Sequence, residues 1–346
     1  MKHENPFRRK QNLLFIVLSI ASLILFLLDI ALGSVAIPFT DIIQILTGGE
    51  ATKNTWQTIV LNFRLPSALT AVCTGVGLSL SGLLMQTLFR NPIAGPFVLG
   101  ISSGAGLGVA LLILTAGGLG LTATFNPFHQ WTLAIFAMSG AALVLVLVLL
   151  VSRRVKDVAT LLIVGLMFGS VVSAIVTVLQ YYSGQEALKR FVLWSFGNLG
   201  GVTWTELKAL IPLILVGTLW TFLLIKPLNA LLIGEDYAYS MGISTRGVRR
   251  GIIVATAIMA GSITAFCGPV AFVGIAVPHL ARMGFKTQQH RLLIPATILT
   301  GIAVMLACDI LAKLPFFEQT LPINAVTSLL GAPIVIGIVL RRGKVY

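Results

Sequence analysis

Ten apolar runs separated by short polar stretches organise the chain. The first covers Leu13 to Leu32, and nine more cover 65–89, 96–116, 131–151, 158–180, 205–226, 249–267, 269–285, 291–312 and 322–340. They are continuous rather than alternating, and most approach the ~20 residues that a helix needs to cross a bilayer. They predict transmembrane α-helices. The eighth run is short and carries Pro269 and Pro278. It predicts two half-helices or a re-entrant segment, tolerated where protein covers the freed backbone groups. The first run follows Arg8, Arg9 and Lys10. It is too long for the apolar core of a signal peptide, and no convincing small-residue cleavage site follows it, so it reads as a retained span. The expected fold is an all-α polytopic membrane protein of about ten helices, a single domain over 1–346 with a cytoplasmic loop at about 227–248.

Composition agrees. Of 346 residues, 57% are hydrophobic and 10% charged, against roughly 25% charged in soluble domains. This excludes a disordered chain, a disulfide-rich secreted domain and nearly every soluble enzyme of this length. The net charge is +13, which in a soluble chain would suggest nucleic acid. Here the basic residues gather where spans end. With the N-terminus inside, the inner segments hold Lys2, Arg8, Arg9, Lys10, Arg90, Arg153, Arg154, Lys156, Lys226, Arg246, Arg249, Arg250, Arg282, Lys286, Arg291, Arg341, Arg342 and Lys344, which is 18 of 24. The outer ones hold Lys53, Arg64, Lys189, Arg190, Lys208 and Lys313. That asymmetry predicts an even number of spans with both termini cytoplasmic, and a lipid rather than a nucleic-acid partner. Cys73, Cys267 and Cys308 lie in apolar runs without CxxC spacing, and the four histidines are scattered, so no metal site is expected. Glycines recur four apart at Gly100/Gly104/Gly108, Gly165/Gly169 and Gly197/Gly201. This spacing lets helices approach closely in lipid.

The spans are nearly free of charge, whereas ion-coupled transport usually leaves carboxylates or lysines in mid-membrane. Asp29 falls near the outer end of span 1 and Asp309 near that of span 9. Lys313 lies four residues beyond Asp309, on the same helix face, where the two can pair. There is no GxxxxGK[ST], and the glycine-rich stretch Gly100 to Gly108 is not GxGxxG. No nucleophile–base or HExxH arrangement is present. A transporter of this kind must take its energy from a partner, and an ATPase is the natural candidate.

Three stretches are unusual for membrane sequence. One runs from Arg64-Leu-Pro66 through Gly82-Leu-Leu-Met-Gln86 to Arg90-Asn-Pro92-Ile-Ala94. Another is the inner loop Leu231 to Ile243, and the last is Gly268 to Arg282. In the inner loop, Gly234 breaks the preceding run. Glu235 and Asp236 suit the N-terminus of a helix, and Gly242 suits a left-handed cap. The expected product is a helix of about two turns with Tyr237, Ala238 and Met241 available for contact. Its small residues and acidic start fit protein docking better than an amphipathic connector on anionic lipid.

These stretches, with Asp309, Leu321-Pro322 and Gly331-Ala-Pro333, resemble the permease subunits of type II ABC importers for iron–siderophores, haem and vitamin B12. The resemblance covers essentially the whole chain from Arg64. It implies ten spans per subunit, a second permease subunit, two cytoplasmic ATPases and an extracytoplasmic binding protein, in the bacterial cytoplasmic membrane. It also implies that this chain is not an enzyme and binds no cofactor, with ATP and magnesium held by the partner ATPase. The segment 231–243 would carry the coupling helix, with Gly234, Glu235, Asp236, Ala238 and Gly242 at the ATPase contact. A rigid short helix would transmit ATPase closure as a displacement of spans 6 and 7.

By the same resemblance Arg64 and Lys313 would dock the binding protein, with Lys53, Lys189 and Arg190 as further candidates. The family often has a second Arg where this chain has Ser67, and a Gly where it has Asn324. The alternative is that these basic residues cap spans or meet lipid headgroups. The pathway would be lined by Gly165, Gly169, Ser170, Ser173 and Thr177 on span 5, although helix packing also selects small residues there. Ser152, Arg153 and Asp157 match the position of a cytoplasmic gate. Iron–siderophore leads as cargo, with vitamin B12 and haem open. An ion-coupled secondary transporter and an intramembrane enzyme are the remote alternatives.

Overall fold

A computed structural model describes residues 6–33, 35–115, 129–154, 158–313 and 320–342. The described chain is helical throughout, without a strand. In order come α1 (Pro6–Ala31), α2 (Phe39–Leu46), α3 (Asn54–Ile59), α4 (Leu65–Leu88), α5 (Ile101–Thr115), α6 (Gln130–Arg154), α7 (Val158–Tyr182) and α8 (Gln185–Ser195). There follow α9 (Trp204–Leu223), α10 (Ile225–Ile233), α11 (Glu235–Ser240), α12 (Thr245–Cys267), α13 (Val273–Phe285), α14 (His290–Ala312) and α15 (Ile323–Arg342). A π-turn at Val60–Arg64 joins α3 to α4, and a 3₁₀ turn at Pro96–Leu99 precedes α5.

Each predicted apolar run coincides with a helix. Seven helices among the described residues are long and apolar enough to cross a membrane, while the apolar stretches of α5 and α15 are shorter. α13 has 13 residues, about 20 Å at 1.5 Å per residue, against a hydrocarbon core of ~30 Å. The eighth run is therefore one half-length helix entered through a non-helical segment, Gly268 to Phe272. Phe272 turns left-handed (φ 64°) at the entry, and Pro278 lies inside the helix. The short helices α2, α3, α8 and α10 were not predicted.

α4 is the axis of the molecule. Nearly all of its residues are buried, and α9, α12, α13 and α14 surround it. α1 and α7 lie at the periphery with most of their length exposed. Small residues set the closest approaches. A Cβ on Gly82 of α4 would overlap the carbonyl of Gly274, so α13 can lie where it does only against glycine. Gly104 and Gly108 of α5 meet Gly140 and Phe136 of α6 in the same way. The fourfold spacing seen in the sequence thus serves packing inside one bundle.

Three remote segments interlock beside the non-helical entry to α13. Asn198 donates its N–H to the Cys267 carbonyl (2.8 Å), and Asn324 donates its own to the Phe196 carbonyl (3.2 Å). The side-chain oxygen of Asn324 accepts from the Ala271 N–H (3.0 Å). Asn324 therefore satisfies a backbone donor that the missing helical turn leaves open. A glycine at this position would lack that acceptor.

Candidate functional site

The inner loop forms the short helix expected of it. α11 is closed at its C-terminus by two reversed bonds, Ile243 N–H to the Ala238 carbonyl (3.0 Å) and Gly242 N–H to the Tyr239 carbonyl (2.9 Å). Gly242 adopts φ 78°, where a residue with a Cβ is strained. Ser244 then caps α12 by accepting from the Gly247 N–H (3.3 Å). On the other side Gly234 is extended, and Glu235 pairs with Arg249 of α12 at 3.6 Å. α11 is thus closed on itself at its C-terminus and tied at its start to α12.

Its two faces differ. Ala238, expected at the partner contact, is fully buried and anchors α11 to the bundle. Asp236, Tyr237, Tyr239 and Met241 are exposed, with Tyr239 at 76%. Two tyrosines and a methionine form an exposed, largely apolar patch on this turn.

Behind α11 lies a buried polar network. Gln86 Nε2 donates to the Ile275 carbonyl (3.0 Å) at the start of α13, and its oxygen accepts from the Arg282 guanidinium. His290 receives a similar clamp. Its N–H and Nδ1 each lie 2.9 Å from Asn229 Oδ1, which fixes the proton on Nδ1 and leaves Nε2 to accept from Thr87 at 3.0 Å. Gln86 and Arg282 stood out in the sequence only as parts of motifs. His290 and Asn229 carried no signal there, because their partners are remote.

At the opposite end of α4, two of the expected docking residues, Arg64 and Lys313, are turned inward. Arg64 is buried, and its guanidinium donates to the carbonyls of Ile30 (3.0 Å), Ala31 (2.8 Å) and Val35. It caps the C-terminus of α1. Lys313 pairs with Asp309 at 2.5 Å, as the i,i+4 spacing anticipated, and also with Asp29 at 3.0 Å. Ser67 Oγ adds a bond to Asp309 at 3.3 Å. Lys53 is exposed, with its ammonium 4.9 Å from the centre of the Trp56 ring. Lys189 is exposed, and Arg190 bridges to Glu186 at 3.0 Å.

The five expected pathway residues of α7 divide between two faces. Gly165 and Gly169 face inward, against Val98 of the 3₁₀ turn and Ser103 of α5. Ser170, Ser173 and Thr177 lie on an exposed stripe, where Ser170 and Thr177 bond back to the carbonyls of Leu166 (3.0 Å) and Ser173 (2.9 Å). Of the expected gate, Ser152 and Arg153 lie in the last turn of α6, and Asp157 falls outside the described residues.

A profile of the FecCD transport family matches residues 21–341. The vitamin B12 import system permease protein BtuC of Klebsiella pneumoniae is 36% identical over 302 residues, covering 87% of this chain and 88% of that protein. The protein of the same name from Escherichia coli is 32% identical over 341 residues, covering 97% and 98%. A solved metal-chelate type ABC transporter in an inward-facing conformation superposes with a TM-score of 0.82 at 28% identity, covering 95% of this chain and 99% of that one. PsaBC from Streptococcus pneumoniae shares the fold at a TM-score of 0.51 and 15% identity.

Proposed function

The chain belongs to the FecCD transport family, and on that premise we propose that it is the membrane-spanning permease of an ATP-driven importer of bulky metal chelates. In this reading it crosses the bacterial cytoplasmic membrane about ten times with both ends inside, and residues 1–346 make one permease domain. Two ATPase subunits supply the energy and hold ATP and magnesium. An extracytoplasmic binding protein delivers the cargo, and a second permease subunit completes the core. Iron–siderophore is the first cargo. Vitamin B12 is the second reading, favoured by the names of the relatives, and haem is the third.

The observation that carries the mechanism is α11, a closed turn tied to α12 with a largely apolar outer face. ATPase closure would press on Tyr237, Tyr239 and Met241. The load would pass through the Glu235–Arg249 pair to α12 and through α10 to α9. The exposed hydroxyl stripe of α7 would then face the partner permease across the pathway. Ser170 and Thr177 already spend a hydroxyl proton on their own helix, so they offer cargo few strong contacts.

Co-purification tests the coupling. Wild-type chain should retain the ATPase subunit, and Gly242→Trp should lose it, because open space surrounds Gly242 and the indole would stand in the contact. Gly242→Asn tolerates the left-handed backbone and should retain it. Full retention by Gly242→Trp would remove α11 from the coupling role.

A further inference from the structure

A cavity of 220 Å³ opens beside the base of α11. It is lined by Gln86, Thr87, Arg90, Arg282, Gln288 and Leu232, with Pro92 at its edge. Two guanidiniums, two amides and a hydroxyl converge on it, and none of these lining residues is acidic.

Arg90 is held there at a conformational cost. α4 ends with the Asn91 N–H reaching back to the Gln86 carbonyl (3.2 Å) and the Arg90 N–H to that of Thr87 (3.4 Å). This closure places Arg90 in the left-handed position that glycine usually fills, at φ 45°. A residue with a Cβ in that position is strained. The side chain it carries reaches the α10–α11 junction, where Arg90 Nη2 would lie 3.7 Å from a Cβ on Gly234. Arg282 enters from α13, oriented by the Gln86 oxygen. Both arginines sit near helix C-termini, where positive charge is favoured. Such compensation needs neither a cavity nor a strained backbone.

We infer that this cavity is a binding site for a phosphate oxyanion. The paired guanidiniums supply the forked donors that phosphate accepts, and the Gln288 amide supplies a neutral one. The phosphate can come from an anionic lipid headgroup or from solution, and a basic pocket of this kind at a membrane-protein end fits either. An occupant would touch the root of α11, so the site would stiffen the coupling segment. The binding itself does not depend on the transport reading, and failure of one leaves the other standing.

Native mass spectrometry of the full-length chain in detergent tests it, with phosphatidylglycerol, phosphatidylcholine and inorganic phosphate as probes. Wild type should retain one phosphatidylglycerol at concentrations where phosphatidylcholine is lost, and inorganic phosphate should displace it. Arg90→Gln and Arg282→Gln should each raise the lipid concentration required by about tenfold. Arg90→Lys should fall between, because it keeps the charge and loses the fork. Arg90 is exposed, so its variants keep the fold even where Arg282→Gln, which breaks the Gln86 contact, does not. Phosphate bound without lipid retention would support the site with a soluble source. Equal retention of both lipids with no effect of phosphate would overturn it. So would retention unchanged in the Arg90 variants.

Discussion

At one end of α4, Arg64, Lys313, Asp29 and Asp309 are folded into the bundle, and each is engaged by a carbonyl or an opposite charge. At the other end, Arg90 and Arg282 line a cavity and α11 presents Asp236 and its tyrosines outward. The contrast teaches that charge near a span end has two uses. One closes a helix terminus against the apolar interior, and the other is left where a partner can reach it. Sequence position alone does not distinguish them.

The sharpest way to break this comparison is Lys313→Ala. It leaves two buried carboxylates sharing no cation, which should cost about 3–5 kcal/mol. The unfolding midpoint in detergent would read it. Adding Asp29→Asn and Asp309→Asn should recover most of the loss, and a cost below ~1 kcal/mol would place Lys313 with the exposed charges. Next comes Arg64→Ala, which strands the carbonyls of Ile30, Ala31 and Val35 for about 1–3 kcal/mol. Arg64→Lys should recover little, because one ammonium cannot reproduce the planar fork. Neither Arg64 variant should weaken binding-protein docking measured on folded protein, whereas Lys53→Glu should.

At the α11 end the expected stability effects are smaller. Tyr239→Asp should move stability by less than ~0.5 kcal/mol and still abolish ATPase co-purification. Gly234→Ala should be nearly silent in both assays, since Gly234 is extended and its Cβ would meet only ordinary contacts. The slightest effect concerns α2. Hydrogen bonds from Thr52 to Asp41 hold that carboxyl below its ordinary range. Stability from it is present above the ordinary carboxylate range and is lost as pH falls through the lowered value. Thr52→Val removes the hydroxyl donor and keeps the backbone one, so it should weaken that acid-limb dependence in a pH series of unfolding midpoints.

Much of the architecture was legible because lipid demands long apolar helices, and all ten runs became helices. The short helix α11 was legible for a local reason, since Gly234, the acidic pair and Gly242 encode a start and a stop within nine residues. α2 and α8 escaped notice because they are too short and mixed to resemble spans. Arg64 and Lys313 looked outward-facing because a charge near a helix end usually is. Their burial depends on α1, and the Lys313–Asp29 bond joins residues 284 positions apart. The Gln86–Arg282 contact and the Asn324 bridge are likewise long-range, so no local pattern announces them.

α4 connects the two ends directly. Its 24 residues form one uninterrupted rod, about 36 Å long at 1.5 Å per residue. One tip is held to α1 and α14 by hydrogen bonds from Arg64 and Ser67, and the other touches the arginine-lined hollow beside α11. Moving together with the helices packed on it, such a rod would act as a lever with its fulcrum at the anchored tip. Pivoting about its anchored tip by ~5° would sweep the far tip through ~3 Å, given that length. Stiffness at the anchored tip would then govern how far the opposite tip travels.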